Sequence, residues 1–232
     1  MKPITFLHLL KNDVINILRD KTLLMMLVLP LLMIFGLKAS LSALNELLPL
    51  LPNYYSLLLA ILATTSALLG GYIIAFVMLD EKDENVFTVI RVMPFSISLF
   101  MAYRLLLAGF WAFCFAFLTF LVLDIQNYSL SEKLLYSIFC SQTSLVALLF
   151  IVTFANNKIE GITFIKAINF FSVLPALAFF IDSSWKHIFS VFPFYWTYRA
   201  IQEPNFLWIL ISIFSHFIIF LVGYYLFLRK IE

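Results

Sequence analysis

The feature that most constrains this chain is a succession of apolar runs, each about twenty residues or longer, with very little charge inside them. A helix of that length, at ~1.5 Å per residue, crosses the ~30 Å hydrocarbon layer of a bilayer. Six such runs can be laid out, over residues 22–43, 54–79, 95–123, 133–155, 162–181 and 206–228. Composition removes the alternative of a large soluble core. Of the 232 residues 63% are hydrophobic and 12% are charged, against roughly 25% charged in a soluble domain. Mean hydropathy is +1.03. The sequence predicts an all-α membrane protein, a single transmembrane domain over residues 1–232 with little built outside the bilayer.

The segments between the runs carry more information than the runs. Residues 1–21 form an amphipathic lead-in, with Ile4, Leu7, Val14, Ile15 and Leu18 on one side and Lys11, Asp13, Arg19 and Asp20 elsewhere. That pattern predicts a helix in the headgroup plane. The lead-in is long, it contains Asp13 and Asp20, and no small-residue cleavage site follows, so the first run reads as a retained span rather than a signal peptide. Pro30 lies inside that span, where a membrane helix tolerates it at a kink, and Lys38 can reach the outer interface. The second run holds Thr64, Thr65, Ser66, Gly70 and Gly71 at its centre, a composition for close helix packing or a polar lining.

Residues 80–94 need an explanation. They open on Asp80-Glu81-Lys82-Asp83-Glu84-Asn85, continue through an amphipathic turn or two with Val86, Phe87, Val89 and Ile90, and stop at Pro94. A short helix lying across the membrane face can dock into a groove on a soluble partner; a solvated charged linker is the plainer alternative. Residues 182–205 are apolar but broken by Pro193 and Pro204. They are rich in Trp185, Tyr195, Trp196 and Tyr198, which suits one or two half-helices at headgroup depth. With the N-terminus inside, the inner segments hold Lys2, Lys11, Arg19, Lys21, Lys82, Arg91, Lys158, Arg229 and Lys230, and the outer ones Lys38, Lys133, Lys186 and Arg199. That bias predicts both termini in the cytoplasm of a multi-pass plasma-membrane protein.

Catalytic constellations are missing from the sequence. His8, His187 and His216 are far apart and form no metal-binding pattern; His216 reads as a neutral histidine hydrogen-bonded to a neighbouring helix. There is no P-loop and no nucleophile elbow. Cys114 and Cys140 lie in apolar runs as small packing residues. The net charge of +2 comes with no basic stripe, so nucleic acid is not an expected partner. An enzyme is therefore disfavoured.

The order of these features resembles the permease subunit of ABC-2 type transporters. That family has an elbow helix ending in a basic-acidic pair, here Arg19-Asp20. It has an acidic stretch and a coupling helix running to a proline, here residues 80–94, and half-helices before the last span, here residues 182–205. Asn85-Val86 stands where the family pattern often has Gly-Thr, Thr88 where a glutamate is common, and Arg91 at a usually apolar position. The resemblance implies an exporter subunit with six spans, an elbow helix, a coupling helix and re-entrant half-helices. It implies a second permease copy or a related permease, and a separate nucleotide-binding ATPase subunit that binds ATP and Mg, with no cofactor held by this chain. Glu81, Asp83, Glu84, Phe87, Ile90, Arg91 and Pro94 would then couple to that ATPase. Thr64, Thr65, Ser66 and Asn169 would line a path for a hydrophobic or amphipathic cargo such as a drug, an antimicrobial peptide or a lipid-like molecule. The rival reading is a membrane accessory or assembly protein with no path of its own.

Overall fold

The computed structural model describes residues 3–87 and 97–231; Ile90, Arg91 and Pro94 lie outside the described residues. The helices are α1 (Pro3–Arg19), α2 (Lys21–Leu47), α3 (Tyr55–Asp83), α4 (Ile97–Leu123), α5 (Leu130–Phe154), α6 (Lys158–Val173), α7 (Pro193–Gln202) and α8 (Phe206–Ile231). Shorter 3-10 segments occupy Leu51–Tyr54, Leu174–Phe180 and Ser184–Val191. Among the described residues every regular element is helical. Six of them are long and apolar enough to cross a membrane: α2, α3 with the turn before it, α4, α5, α6 with the turn after it, and α8.

Local chemistry sets the helix ends. Asp20 separates α1 from α2 and caps α2, accepting from the backbone N–H of Thr22 at 2.7 Å and Leu23 at 3.2 Å. Ser129 and Glu132 make a reciprocal capping box, so α5 begins three residues before the predicted 133. Asn157 caps α6 through Glu160 N–H at 3.0 Å. Pro175 cannot donate to a helix ladder, and α6 gives way to a 3-10 segment there. The helix α3 runs on through Asp83, four residues past the predicted 79, so the first four members of the acidic cluster are helical. Two residues past its end stands Asn85, whose φ of 57° is the left-handed conformation that asparagine and glycine enter most readily.

The axis of the bundle is α3, which packs against α2, α4, α5, α6 and α7. In its most apolar stretch 78% of residues are buried, against 11% for α8. Small residues make this possible. A Cβ on Gly70 would lie 2.5 Å from the backbone N of Ala112 in α4. A Cβ on Gly71 would lie 2.6 Å from the carbonyl O of Ser144 in α5. Successive glycines, a third of a turn apart, thus admit two neighbours to backbone contact. The apolar residues left outward on α2 and α8, such as Leu32, Phe35, Phe214 and Ile218, are exposed on the outside of the bundle.

The amphipathic helix α1 is turned differently from a simple apolar-in arrangement. Val14, Ile15 and Leu18 are exposed, while Asp13 and Ile17 are buried against the bundle. In residues 182–205, the 3-10 segment is exposed but α7 buries Tyr195, Thr197, Tyr198, Ala200 and Ile201. Trp196 stacks on Trp208 of α8 at 5.6 Å, and Tyr198 O–H donates to Ser172 O at 2.8 Å.

Gly70→Ala is expected to destabilise the chain by about 1–3 kcal/mol through overpacking against a backbone that cannot yield. Gly36→Ala, where a Cβ meets nothing within 4 Å, is the matched control and should leave stability unchanged or slightly raised. Thermal unfolding in detergent compares the two.

Candidate functional site

The last turn of α3 sends three consecutive side chains to three different helices. Asp80 Oδ2 pairs with Lys158 Nζ at the start of α6, 2.8 Å away. Glu81 Oε1 pairs with Arg104 of α4. Lys82 Nζ donates to Ala155 O at 2.6 Å, with Val152 O at 3.4 Å, at the C-terminus of α5. Adjacent residues on a helix point about 100° apart, so three neighbours can meet three partners only where α3 is surrounded.

Arg104 is the centre of this arrangement. It sits two turns into α4 and is 1% exposed. Its Nη1 donates to Asp13 Oδ2 of α1 at 2.6 Å while Nη2 donates to Glu81. Tyr103 O–H donates to the same Asp13 oxygen, and the Phe100 ring lies 5.0 Å from the guanidinium carbon. A guanidinium does not give up its proton, so its burial requires anions at its donors. One cation thereby ties α1, α3 and α4 together.

Two further ties close the same end of the molecule. Lys158 Nζ also reaches Asp20 Oδ2 at 2.5 Å, joining α6 to the start of α2. Burial pushes the Asp20 carboxyl up, but the Lys158 ammonium and the backbone N–H groups of Leu23 and Thr22 outweigh it and hold it below the ordinary carboxylate value. Lys230 of α8 donates to Thr153 O at 2.7 Å, so two lysines occupy carbonyls that α5 leaves free at its C-terminus. Between the ends of α1 and α3 lies a cavity of about 360 Å³ lined by Asn16, Arg19, Asp20, Asp80, Glu81 and Glu84.

The expected coupling residues divide. Asp83 and Glu84 are exposed at the end of α3, as a docking surface requires. Glu81 is turned inward, its carboxylate committed to Arg104 of its own chain rather than presented to a partner. Phe87 packs edge-on against Phe100 at 5.9 Å and Phe227 at 6.3 Å, joining α4 and α8. Of the elbow pair, Arg19 is exposed and Asp20 is both cap and ion-pair partner. Of the expected path residues, Thr64 and Ser66 are fully buried, Thr64 reaching Cys140 Sγ at 3.5 Å. Thr65 and Asn169 are half-buried, and Asn169 accepts from Tyr72 O–H at 2.8 Å. His216 bonds through Nδ1 to Ser212 O of its own helix at 2.9 Å, not to a neighbouring one. Among the described residues no group of His, Cys, Asp or Glu converges as a metal site. The residues that the sequence pattern leaves unmarked are Asp13, Tyr103, Lys82 and Lys158. The available signal is Arg104 itself, since a cation inside an apolar run demands a partner.

A family model described as "Fluoroquinolones export permease protein Rv2686c-like" matches residues 13–227. The chain is 31% identical over 198 residues to the fluoroquinolones export permease proteins MT2760 and Rv2686c, from two strains of Mycobacterium tuberculosis. In each case the match covers 82% of this chain and 79% of the relative. No solved structure matches the chain.

Removing the guanidinium leaves the buried Asp13 and the half-buried Glu81 without their shared cation. Arg104→Met is therefore expected to cost about 3–5 kcal/mol in stability, and neutralising both acids in the same chain should recover part of it. Unfolding in detergent of the single variant, and of the triple variant with Asp13→Asn and Glu81→Gln, checks both statements.

Proposed function

The chain belongs to the Rv2686c-like family of export permeases, and from that premise we propose that it is the membrane-spanning half of an ATP-driven ABC exporter that carries fluoroquinolone-like amphipathic drugs out of the cell. The cargo is inferred from the name of the relatives that match over most of the chain. In this reading ATP and Mg would bind to a separate nucleotide-binding subunit, as the resemblance to ABC-2 permeases implies; the sequence itself has no P-loop. A second permease, identical or related, completes the path. Both termini and residues 80–94 lie on the cytoplasmic side, which the distribution of Lys and Arg favours.

The observation that carries the mechanism is the divergence of Asp80, Glu81 and Lys82 to α6, α4 and α5. ATP-driven closure of the partner pushes on the segment that leaves α3. A segment held only by solvated charge would absorb that push. This one passes it through Glu81 to Arg104 and on to Asp13 of α1, so that the spans move together between two packed arrangements. Asp83 and Glu84 supply the exposed negative charge that steers the partner onto this end. Thr65 and Asn169 are the path residues still accessible within one chain.

Two measurements test the reading. Inside-out vesicles containing the chain and its partner ATPase should accumulate a fluoroquinolone only when ATP is supplied. A complete complex that hydrolyses ATP but moves no drug of a broad panel would contradict the exporter role and leave an accessory role. The variant with Asp83→Lys and Glu84→Lys should weaken association with the ATPase by roughly threefold or more, read by co-purification at matched expression.

A further inference from the structure

The helix α6 is attached by one side. Phe164 meets Phe150 of α5 at 5.4 Å, Gly161 sits against Leu79 and Phe76, and Asn169 holds Tyr72 of α3. The opposite side carries Ile159, Thr163, Lys166, Phe170 and Val173 at three- and four-residue spacing, one continuous stripe. Every member of that stripe is exposed, Phe170 to 62%. Lys158 at the head of α6 is paired with Asp20 and Asp80, whereas Lys166 makes no ion pair or hydrogen bond with any described residue.

Depth makes this position informative. Lys166 lies eight residues beyond Lys158, about 12 Å along the helix axis, inside the span Lys158–Phe180. A lysine stem covers only part of that distance back to the interface. Cations at such depth turn to a bundle interior or a water-filled passage rather than to acyl chains. On that ground the stripe is assigned to an aqueous path of the complete exporter, where the ammonium would be a set of donors awaiting an acceptor. The strongest acceptor for it is a carboxylate. One turn on, with Cβ atoms about 5–6 Å apart, Phe170 is largely exposed and in T-shaped contact with Phe171 at 5.5 Å, an aromatic surface against which a flat ring can pack.

We infer that Lys166 and Phe170 form a two-point site in the path for an aromatic carboxylate, Lys166 taking the carboxylate and Phe170 the ring. This rests on the export reading above and deepens it: a quinolone carries its carboxyl group directly on a planar ring system. It also gives the path a preference for cargo with an acid at one end of an apolar plate over cargo lacking it.

The test compares ATP-dependent uptake of norfloxacin and of norfloxacin methyl ester into inside-out vesicles that hold the complete exporter. Lys166→Gln should lower uptake of the acid by about tenfold, the scale of one charge-assisted hydrogen bond, and move uptake of the ester by less than about twofold. Lys166→Arg should keep most of the acid uptake, and Phe170→Leu should lower both compounds. If Lys166→Gln lowers acid and ester in parallel, or lowers neither, the inference is overturned while the export reading stands. If the unaltered exporter moves neither compound, the export reading fails and this inference with it. A second readout does not depend on transport. Lys166→Cys, with Cys114→Ala and Cys140→Ala, should react with a charged, water-soluble thiol reagent; reaction only with a membrane-soluble maleimide would place the side chain in lipid and overturn the inference.

Discussion

A guanidinium that cannot shed its proton, enclosed in an apolar bundle, obliges the surrounding helices to bring it anions. Arg104 meets that requirement with Asp13 from α1 and Glu81 from α3. The pairing decides which side of α1 turns inward, where α3 comes to lie against α4, and how the charged end closes. Taking these ions out of water costs several kcal/mol each, so the tie is better regarded as a specifier of arrangement than as a source of net stability. The Phe100 and Tyr103 rings pack beside the cation.

The remainder of the structure makes this tie consequential. Glycines and alanines let α3 approach α4 and α5 closely enough for backbone contact at the middle of its span. Asp80, Glu81 and Lys82 then divide its end among three neighbours, and Phe87 adds α8. A displacement at the exit of α3 cannot be taken up by one loop, because each side chain there is fastened to a different span. Past that point Asp83, Glu84 and Asn85 are free of such ties and lie at the surface.

The six spans were legible from run length and composition, because lipid imposes a length that few other folds share. Helix ends were less so. The Ser129–Glu132 capping box has a sequence signature that run length alone passes over when it begins the span at 133, and the continuation of α3 through Asp83 has none. A run of five charged residues reads as a loop until the partners of Asp80, Glu81 and Lys82 on α6, α4 and α5 are known. The inward turn of Asp13 was hidden for the same reason, since on α1 alone it belongs to the polar side. Thr64 and Ser66 look alike whether they pack or line a path, and only burial separates those roles. Asn85 in place of glycine is explained by its left-handed backbone, which either residue can adopt. Membership of the export-permease family agrees with the resemblance drawn from residues 80–94 and their flanks.

In the exporter proposed above, ATP hydrolysis and cargo movement must stay in step, and that burden would fall on Arg104 through its ties to Asp13 and Glu81. The direct measurement is the amount of drug moved per ATP hydrolysed by vesicles carrying Arg104→Gln in the complete complex, on preparations whose intact assembly is verified by gel filtration. If the Arg104 tie carries the movement, hydrolysis persists within about twofold while transport falls by about tenfold or more, so the ratio collapses. An unchanged ratio, with both rates kept or both lowered together, would contradict the account.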